Sequence, residues 1–173
     1  LRAKHLLRRC LFHYDNDLLA ETSNLSAVEA VDQLLSDNTI TYNEPYDPLP
    51  DEDPHGYWLS SGIYPPEIPN QARKRGLLSA WWWYNMINRV NLKDKLTFFL
   101  HTTFTIANGD VGASHYFYDH LRLLEYYSSG NLRDLAKKIT LDNAMLNYLD
   151  NTQNNANNPN ENYAREFLEL FTI

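Results

Sequence analysis

The chain has 173 residues, 43% of them hydrophobic, which suffices for one sizeable core. We therefore expect residues 1–173 to form a single domain or the amino-terminal part of a larger one. The net charge of −7 argues against nucleic acid as the main partner, the single cysteine excludes an internal disulfide, and no apolar run is long enough for a transmembrane segment.

Two amphipathic segments begin the chain. Apolar residues recur at helical spacing in residues 3–12, which predicts a short first helix. Ser26 and Glu29 form the spacing of a capping box, which predicts a helix that ends near residue 36. The face of this helix expected to be buried comprises Val28, Val31, Leu34 and Leu35.

Residues 41–70 hold seven of the eight prolines, interleaved with tyrosine and tryptophan. Such a segment cannot be a regular helix or a central strand, so we predict a long Pro/Tyr-rich loop whose aromatic side chains wrap over the core. Its acidic residues Asp47, Asp51, Glu52 and Asp53 are interpreted as a solvated turn. The basic residues 73–75 are interpreted as the exposed start of the next helix.

Residues 71–89 form the most apolar predicted helix. Its wide apolar face comprises Leu77, Leu78, Trp81, Trp82, Met86 and Ile87. Trp83 and Tyr84 extend this face around the helix, so we expect burial on more than one side. A sugar-stacking platform is disfavoured because consecutive helical residues point about 100° apart.

Asn91, Asn131 and Asp142 are predicted to cap three later helices, and a further helix spans residues 114–127. In the latter, His115 and Asp119 share a face, which favours a His–Asp hydrogen bond over a metal-ligand pair. No alternating segment predicts a sheet. The predicted fold class is therefore an all-α, irregular multi-helix domain of about seven or eight helices.

Residues 150–161 form a polar run between the last two predicted helices. At the spacing of a twelve-residue calcium loop, the oxygen positions are filled by Asp150, Thr152, Asn154, Ala156 through its carbonyl, Asn158 and Glu161. Only two of these ligands are anionic, so calcium would bind weakly. The alternative needs no ion, because Asn158, Pro159 and Glu161 have the pattern of a capping box at a helix start.

Several segments resemble the domain of unknown function 1800 family over essentially the whole chain. The matching strings are HLLRR at residues 5–9, KLTFFLH at 95–101, GNLR at 130–133 and, most specifically, PNENYAREFLELFT at 159–172. The resemblance implies a large, commonly exported bacterial protein without an established activity, of which this chain is the amino-terminal part. Where the family often has HNHF, this chain has HTTF at 101–104, so Thr103 replaces the second histidine. We interpret His101 as a core or hydrogen-bonding residue.

Two functional classes remain open. The slightly favoured one is a structural or interaction module of an exported protein, with a protein partner at the cell surface. The alternative is a hydrolase acting on a polymer, in which a carboxylate serves as general acid or base, with or without calcium as the cofactor. Its candidate catalytic residues are His101, Glu161, Arg165, Glu166 and Glu169.

Overall fold

The computed structural model describes residues 2–36, 43–49, 56–63, 68–157 and 159–171. These residues contain nine α-helices, α1 to α9 in chain order: Arg2–Cys10, Asn16–Ser23, Ala27–Ser36, Gln71–Asn88, Leu92–Thr103, Ser114–Tyr126, Leu132–Ile139, Asn143–Tyr148 and Glu161–Phe171. A 3-10 turn at Asn151–Gln153 precedes α9, and one isolated antiparallel bridge joins Asp47 and Gly56. The described ranges contain no strand, and the predicted all-α class is confirmed.

Side-chain caps start several helices where the sequence predicts them. Asn91, Asn131 and Asp142 each accept a hydrogen bond from a backbone N–H two or three residues later, at 2.8 to 3.0 Å. Ser26 and Glu29 form the reciprocal capping box, with bonds of 2.8 and 3.3 Å. Each such cap contributes about 1 kcal/mol, and together they fix the helix boundaries from local chemistry alone.

The sequence-based prediction did not include α2. The helix begins after Asp15, whose carboxylate accepts the N–H of Leu18 at 2.8 Å. Its two leucines are consecutive and make no helical stripe, and Thr22 is its one buried residue. A helix this short, without a periodic apolar face, leaves only its cap as a sequence signal.

The core surrounds α6, which packs against α4, α5, α7 and α8. Leu121 and Leu124 of α6 are buried in it, together with Leu135 and Met145 of the neighbouring helices. Trp58, which precedes α4 in the Pro/Tyr-rich segment, is also fully buried. Its indole N–H donates to the Ser114 hydroxyl at the start of α6, at 3.0 Å. This bond ties the long segment to the central helix.

The α3 face that was predicted to be buried is largely exposed, and so is the predicted extension of the α4 face, whereas the α4 face itself is buried at Leu78, Trp82 and Met86. Val28 and Leu35 of α3 are 70% and 46% exposed, and Ala30 is the buried residue of that helix. On α4, Trp83 is 50% exposed and Tyr84 is 64% exposed. The predictions were wrong because helical periodicity identifies an apolar face but not whether another element lies against it.

One acidic residue and two basic residues of the charge groups predicted to be solvated instead pair with each other, largely in the interior. Asp47 and Lys74 are both fully buried, with Lys74 Nζ 2.8 Å from the carboxylate, and Arg73 adds bonds of 2.9 and 2.6 Å. Burial alone would raise the pKa of Asp47. Hydrogen bonds from Lys74 and the Leu49 N–H, with the charges of Lys74 and Arg73, hold this pKa below its usual value. The remaining acidic residues of the predicted turn, at positions 51–53, lie outside the described residues.

Candidate functional site

A fully buried histidine, His120 of α6, joins three elements. Its Nδ1 lies 2.9 Å from a carboxylate oxygen of Asp142, and its Nε2 lies 3.2 Å from the carbonyl oxygen of Phe104. Both ring nitrogens therefore lie within hydrogen-bond distance of an oxygen acceptor. The same carboxylate oxygen accepts the N–H of Met145 and so caps α8. The pair therefore fastens the end of α5 and the start of α8 to α6.

His101 of α5 lies in the core beside this pair. Its ring meets Trp82 edge to face at 5.0 Å between centroids and lies 5.8 Å from the ring of His120. Burial, together with the charge of His120, lowers the pKa of His101 to about 4. Its Nδ1 is buried without a hydrogen-bond partner. His101 is therefore a neutral aromatic packing group at neutral pH.

The candidate residues on α9 form a chain of contacts along the helix surface. Asn162 donates to Glu166 at 2.7 Å and accepts a hydrogen bond from Arg165. Arg165 also lies 4.0 Å from the carboxylate of Glu169. Glu161, Arg165 and Glu169 are exposed. The helix thus brings Arg165, Glu166 and Glu169 together on its solvent side.

The opposite side of α9 faces the core, where Phe167 is buried and the ring of Phe171 lies 5.9 Å from that of Phe104. Tyr163 donates its hydroxyl to the carbonyl of Thr140 at 2.8 Å. His101 shares no hydrogen bond or ion pair with the α9 candidates in the described part of the chain. The structure therefore does not assemble one cluster from His101 and the carboxylates of α9.

The polar run before α9 is organised by asparagine side chains. Asn160 donates its side-chain amide to the carbonyl of Asp150 at 3.1 Å, and its backbone N–H to the side chain of Asn154 at 2.8 Å. It also accepts the N–H of Asn162 at 3.0 Å, which makes Asn160 the N-cap of α9. Asp150 has a left-handed backbone, with φ of 56°.

These contacts move the start of α9 relative to the sequence-based interpretation. The helix begins at Glu161 rather than at Pro159, because Asn160 supplies the cap. Thr152 and Ala156 are exposed, and Asn158 lies outside the described residues. Calcium binding by this loop stays a prediction.

A second group of ionisable residues lies on the outer side of α6, where His115 and Asp119 are one turn apart. The ring of His115 is hydrogen-bonded to the backbone of Leu59, and its Nδ1 is buried without a partner. The predicted hydrogen bond between His115 and Asp119 was therefore wrong. Glu44 lies close enough to act on His115 by its charge, and its carboxylate accepts the N–H of Ser60 at 2.9 Å.

The surroundings shift both pKa values of this pair. Burial lowers the pKa of His115, although the charge of Asp119 and the backbone of Leu59 oppose the shift. Burial also raises the pKa of Asp119, although that residue keeps an exposed edge and His115 opposes the shift. A histidine and a carboxyl whose pKa values move towards each other can exchange a proton with a bound molecule. We name His115, Asp119 and Glu44 the α6 outer site.

A family model described as "Protein of unknown function (DUF1800)" matches residues 5–173. The chain belongs to the DUF1800 family. Comparisons of this DUF1800 member with curated proteins and with solved structures give no match. The family description assigns no reaction to its members.

Among the residues that the structure describes, no three His, Cys, Asp or Glu side chains are grouped as metal ligands. None of the described helices combines the length and the apolar character needed to cross a membrane.

Proposed function

We propose that this DUF1800 member is a structural or interaction module of an exported protein, and that a protein partner at the cell surface covers its exposed apolar faces. The observation that supports this function is the face of α3, where Val28, Val31 and Leu35 are 70%, 41% and 46% exposed. Contiguous exposed apolar surface on a folded domain marks interaction sites more often than it marks chance.

A groove beside this face extends the surface available to a partner. It has a volume of about 530 Å³ and runs between α1 and the turn that joins α2 to α3. Its lining combines apolar side chains, among them Leu6, Leu25 and Val31, with the polar residues Ser23 and Ser26. Protein-binding surfaces combine apolar and polar side chains in the same way.

The buried ionisable groups support the same function. The buried His120–Asp142 pair and the buried Lys74–Asp47 ion pair both join separate elements. His101 is packed against aromatic rings. Because these groups hold the fold together, they are not free for acid–base work on a substrate in this conformation.

Site-specific photo-crosslinking in the source cells tests this function. A photoreactive phenylalanine analogue at Val28 should give a discrete, higher-mass adduct, because a partner covers the α3 face. The matched control places the analogue at Lys137 of α7, whose side chain is 66% exposed in a charged surface. Equal labelling at both positions, or no adduct at Val28, would contradict the interaction function.

Cell fractionation tests the proposed location. The full-length protein that contains this chain should be found in the envelope or the medium, with a cytoplasmic enzyme as the marker of lysis. Recovery of the protein only with that marker would contradict export. The interaction function would still be tested by the crosslinking experiment.

The α6 outer site favours a second candidate function, a hydrolase acting on a polymer. Its supporting observation is the pair His115 and Asp119, half-exposed, one turn apart and with pKa values shifted towards each other. In such a reaction the imidazole of His115 would take a proton from water, and the carboxyl of Asp119, whose pKa is raised by burial, would give one to the leaving group.

Turnover of labelled glycan and labelled casein tests the second function. His115→Ala and Asp119→Asn should each lower kcat by at least about 100-fold if the pair provides acid–base catalysis. The exposed His13→Ala serves as the control. If neither polymer is turned over by the parent chain, or if both variants keep its rate, the α6 outer site is not catalytic.

The cluster proposed from the sequence is tested in the same assay. Glu161→Gln, Glu166→Gln and His101→Ala should reduce turnover only if α9 and His101 act on the substrate. Unchanged rates in all three would exclude them as catalytic residues.

A further inference from the structure

The outer face of α4 carries small residues in its first half and large apolar residues in its second half. This face, named here the α4 stripe, comprises Ala72, Gly76, Ala80, Trp83, Tyr84 and Ile87. All six are exposed, with Trp83 at 50%, Tyr84 at 64% and Ile87 at 56%. No charged residue occurs from position 76 to position 88. The stripe is therefore a neutral apolar surface on an acidic molecule.

Among the residues that the structure describes, Gly76 makes no close contact that explains a glycine within a helix. A Cβ built at this position meets no described atom within 4 Å. A glycine inside a helix costs roughly 1 kcal/mol relative to alanine. The open space above Gly76 is of the kind that the side chain of another molecule fills when two helices approach closely.

The order of small and large residues makes the stripe complementary to itself. In an antiparallel pair of α4 helices related by a two-fold axis near Ala80, Gly76 lies opposite Trp83 of the other copy. Ala72 then lies opposite Ile87 of the other copy. Large side chains of each copy thus meet the small residues of its mate, which is the pattern that a two-fold interface requires.

The three large exposed side chains supply most of the apolar area that a dimer interface needs. Trp83, Tyr84 and Ile87, each half to two-thirds exposed, offer on the order of 350 Å² of apolar side-chain surface. A standard interface buries about 800 Å² on each partner, of which about 60% is apolar. The stripe and the flanking surface of α4 therefore suit a small dimer interface.

The absence of charge along the stripe limits the repulsion that a second copy would meet there. Each chain has a net charge of −7, so two copies repel unless they meet where charge is absent, as it is along the stripe. Antiparallel packing also places the positive end of each helix dipole beside the negative end of the other.

From these observations we infer that two copies of this chain associate through the α4 stripe as an antiparallel, two-fold helix pair with Ala80 near the axis. This inference names one partner for the proposed interaction module and so rests on that function. The α3 face is a separate surface, on which the photo-crosslinking test operates independently.

Sedimentation equilibrium tests the association between about 1 and 200 µM chain, a range that brackets micromolar affinity. We expect the mass to rise with concentration from 20.2 kDa towards twice that value. Tyr84→Glu combined with Ile87→Glu should keep the mass at that of one chain, whereas Val28→Glu combined with Leu35→Glu on α3 should dimerise like the parent. A monomer at every concentration, or a dimer that the α4 substitutions leave intact, would overturn the inference.

Two further variants keep the test valid if the glutamate variants fail to fold. Gly76→Gln should raise the melting temperature of the monomer at low concentration, because glutamine favours the helix, yet weaken dimerisation about 10-fold by blocking the close approach. Ala80→Cys in a Cys10→Ser background should form a disulfide-linked dimer on mild oxidation, and Val28→Cys in that background should not.

If dimerisation is unaffected by Gly76→Gln and Ala80→Cys does not crosslink, the α4 stripe is not the interface. A monomeric chain whose Val28 still crosslinks to a partner would overturn the self-association alone. The proposed interaction function would then stand on the α3 face.

Discussion

At the scale of single residues, His101 is an ionisable group used as an aromatic packing group. Its pKa of about 4 lies below the ordinary value of 6.5. Between these two pH values the unfolded chain binds a proton at His101 and the folded chain does not. A folded state that binds fewer protons loses stability as the pH falls. This loss begins near pH 6.5 and is complete near pH 4.

Replacing His101 by phenylalanine should remove that loss. In the parent chain we expect this histidine to lower the free energy of unfolding by up to roughly 3 kcal/mol between pH 6.5 and pH 4. The phenylalanine keeps the aromatic contact with Trp82. It removes no hydrogen bond of His101 Nδ1, since that atom has no partner. Urea unfolding at several pH values measures the difference, with exposed His13→Phe as control; parallel pH dependences in parent and variant would contradict it.

The buried Asp47–Lys74 pair makes a second prediction at this scale. Lys74→Met should destabilise the fold by about 3 kcal/mol, because it removes one of the two cations that the described residues place against the buried Asp47 carboxylate. Asp47→Asn should cost a similar amount, and the double variant clearly less than the two losses added together. Denaturant unfolding measures the cycle.

A matched control for this cycle is Lys137→Met, which removes an exposed cation that lies 3.7 Å from Asp134. That change should alter the free energy of unfolding by less than about 0.5 kcal/mol. Strict additivity of Lys74→Met and Asp47→Asn would mean that the two groups do not stabilise each other.

The sequence predicts residue roles well where the partner is close along the chain. Asn131 and Asp142 cap helices through N–H groups two or three residues away, and their spacing shows this directly. Lys74 meets Asp47 across 27 positions, and His120 meets Asp142 across 22. Nothing local identifies such pairs, so Lys74 was assigned to an exposed helix start and His120 received no role.

At the scale of elements, the loop before α9 is the predicted calcium site. Its asparagines already form a network: Asn154 accepts a backbone N–H from Asn160, and its amide donates to Asn151 at 3.1 Å. An ion would have to displace part of this network to use the same oxygens. We therefore expect that calcium, if it binds this loop, binds only weakly.

Calorimetric titration with calcium tests the loop. If the loop binds calcium, the dissociation constant should lie near 1 mM, and Asp150→Asn combined with Glu161→Gln should abolish the heat by removing both anionic ligands. Asp134→Asn, on the surface of α7, is the control. No heat above dilution up to about 10 mM calcium would end the calcium interpretation.

The docking of α9 gives a prediction at the same scale. Tyr163 donates to the carbonyl of Thr140, and burial, with the charge of Asp142, raises the pKa of Tyr163 to about 12, so the hydroxyl stays protonated. Tyr163→Phe should cost about 1 kcal/mol, measured by urea unfolding. Exposed Tyr126→Phe should cost nothing measurable. An equal loss in both variants would show that the bond to Thr140 does not stabilise α9.

At the scale of the whole molecule, the sequence predicts the all-α class and most helix positions, because caps and apolar periodicity are local. It does not predict what lies between helices. The apolar patterns of α3 and α4 do not show which residues are covered. In α3, Ala30 is buried while Val28 is exposed, and in α4, Trp82 is buried while Trp83 is half-exposed. Only the arrangement of neighbouring elements decides which part of an apolar face is covered.

The bonds that converge around α6 also bear on how the chain reaches its fold. The contacts of His120 with Phe104 and Asp142, and of Tyr163 with Thr140, span only 16, 22 and 23 positions. Short sequence separations cost little loop-closure entropy, so helices α5 to α9 can assemble early and as one cooperative unit. Amide protons of α6, at the centre of that unit, are the ones we expect to exchange with solvent most slowly.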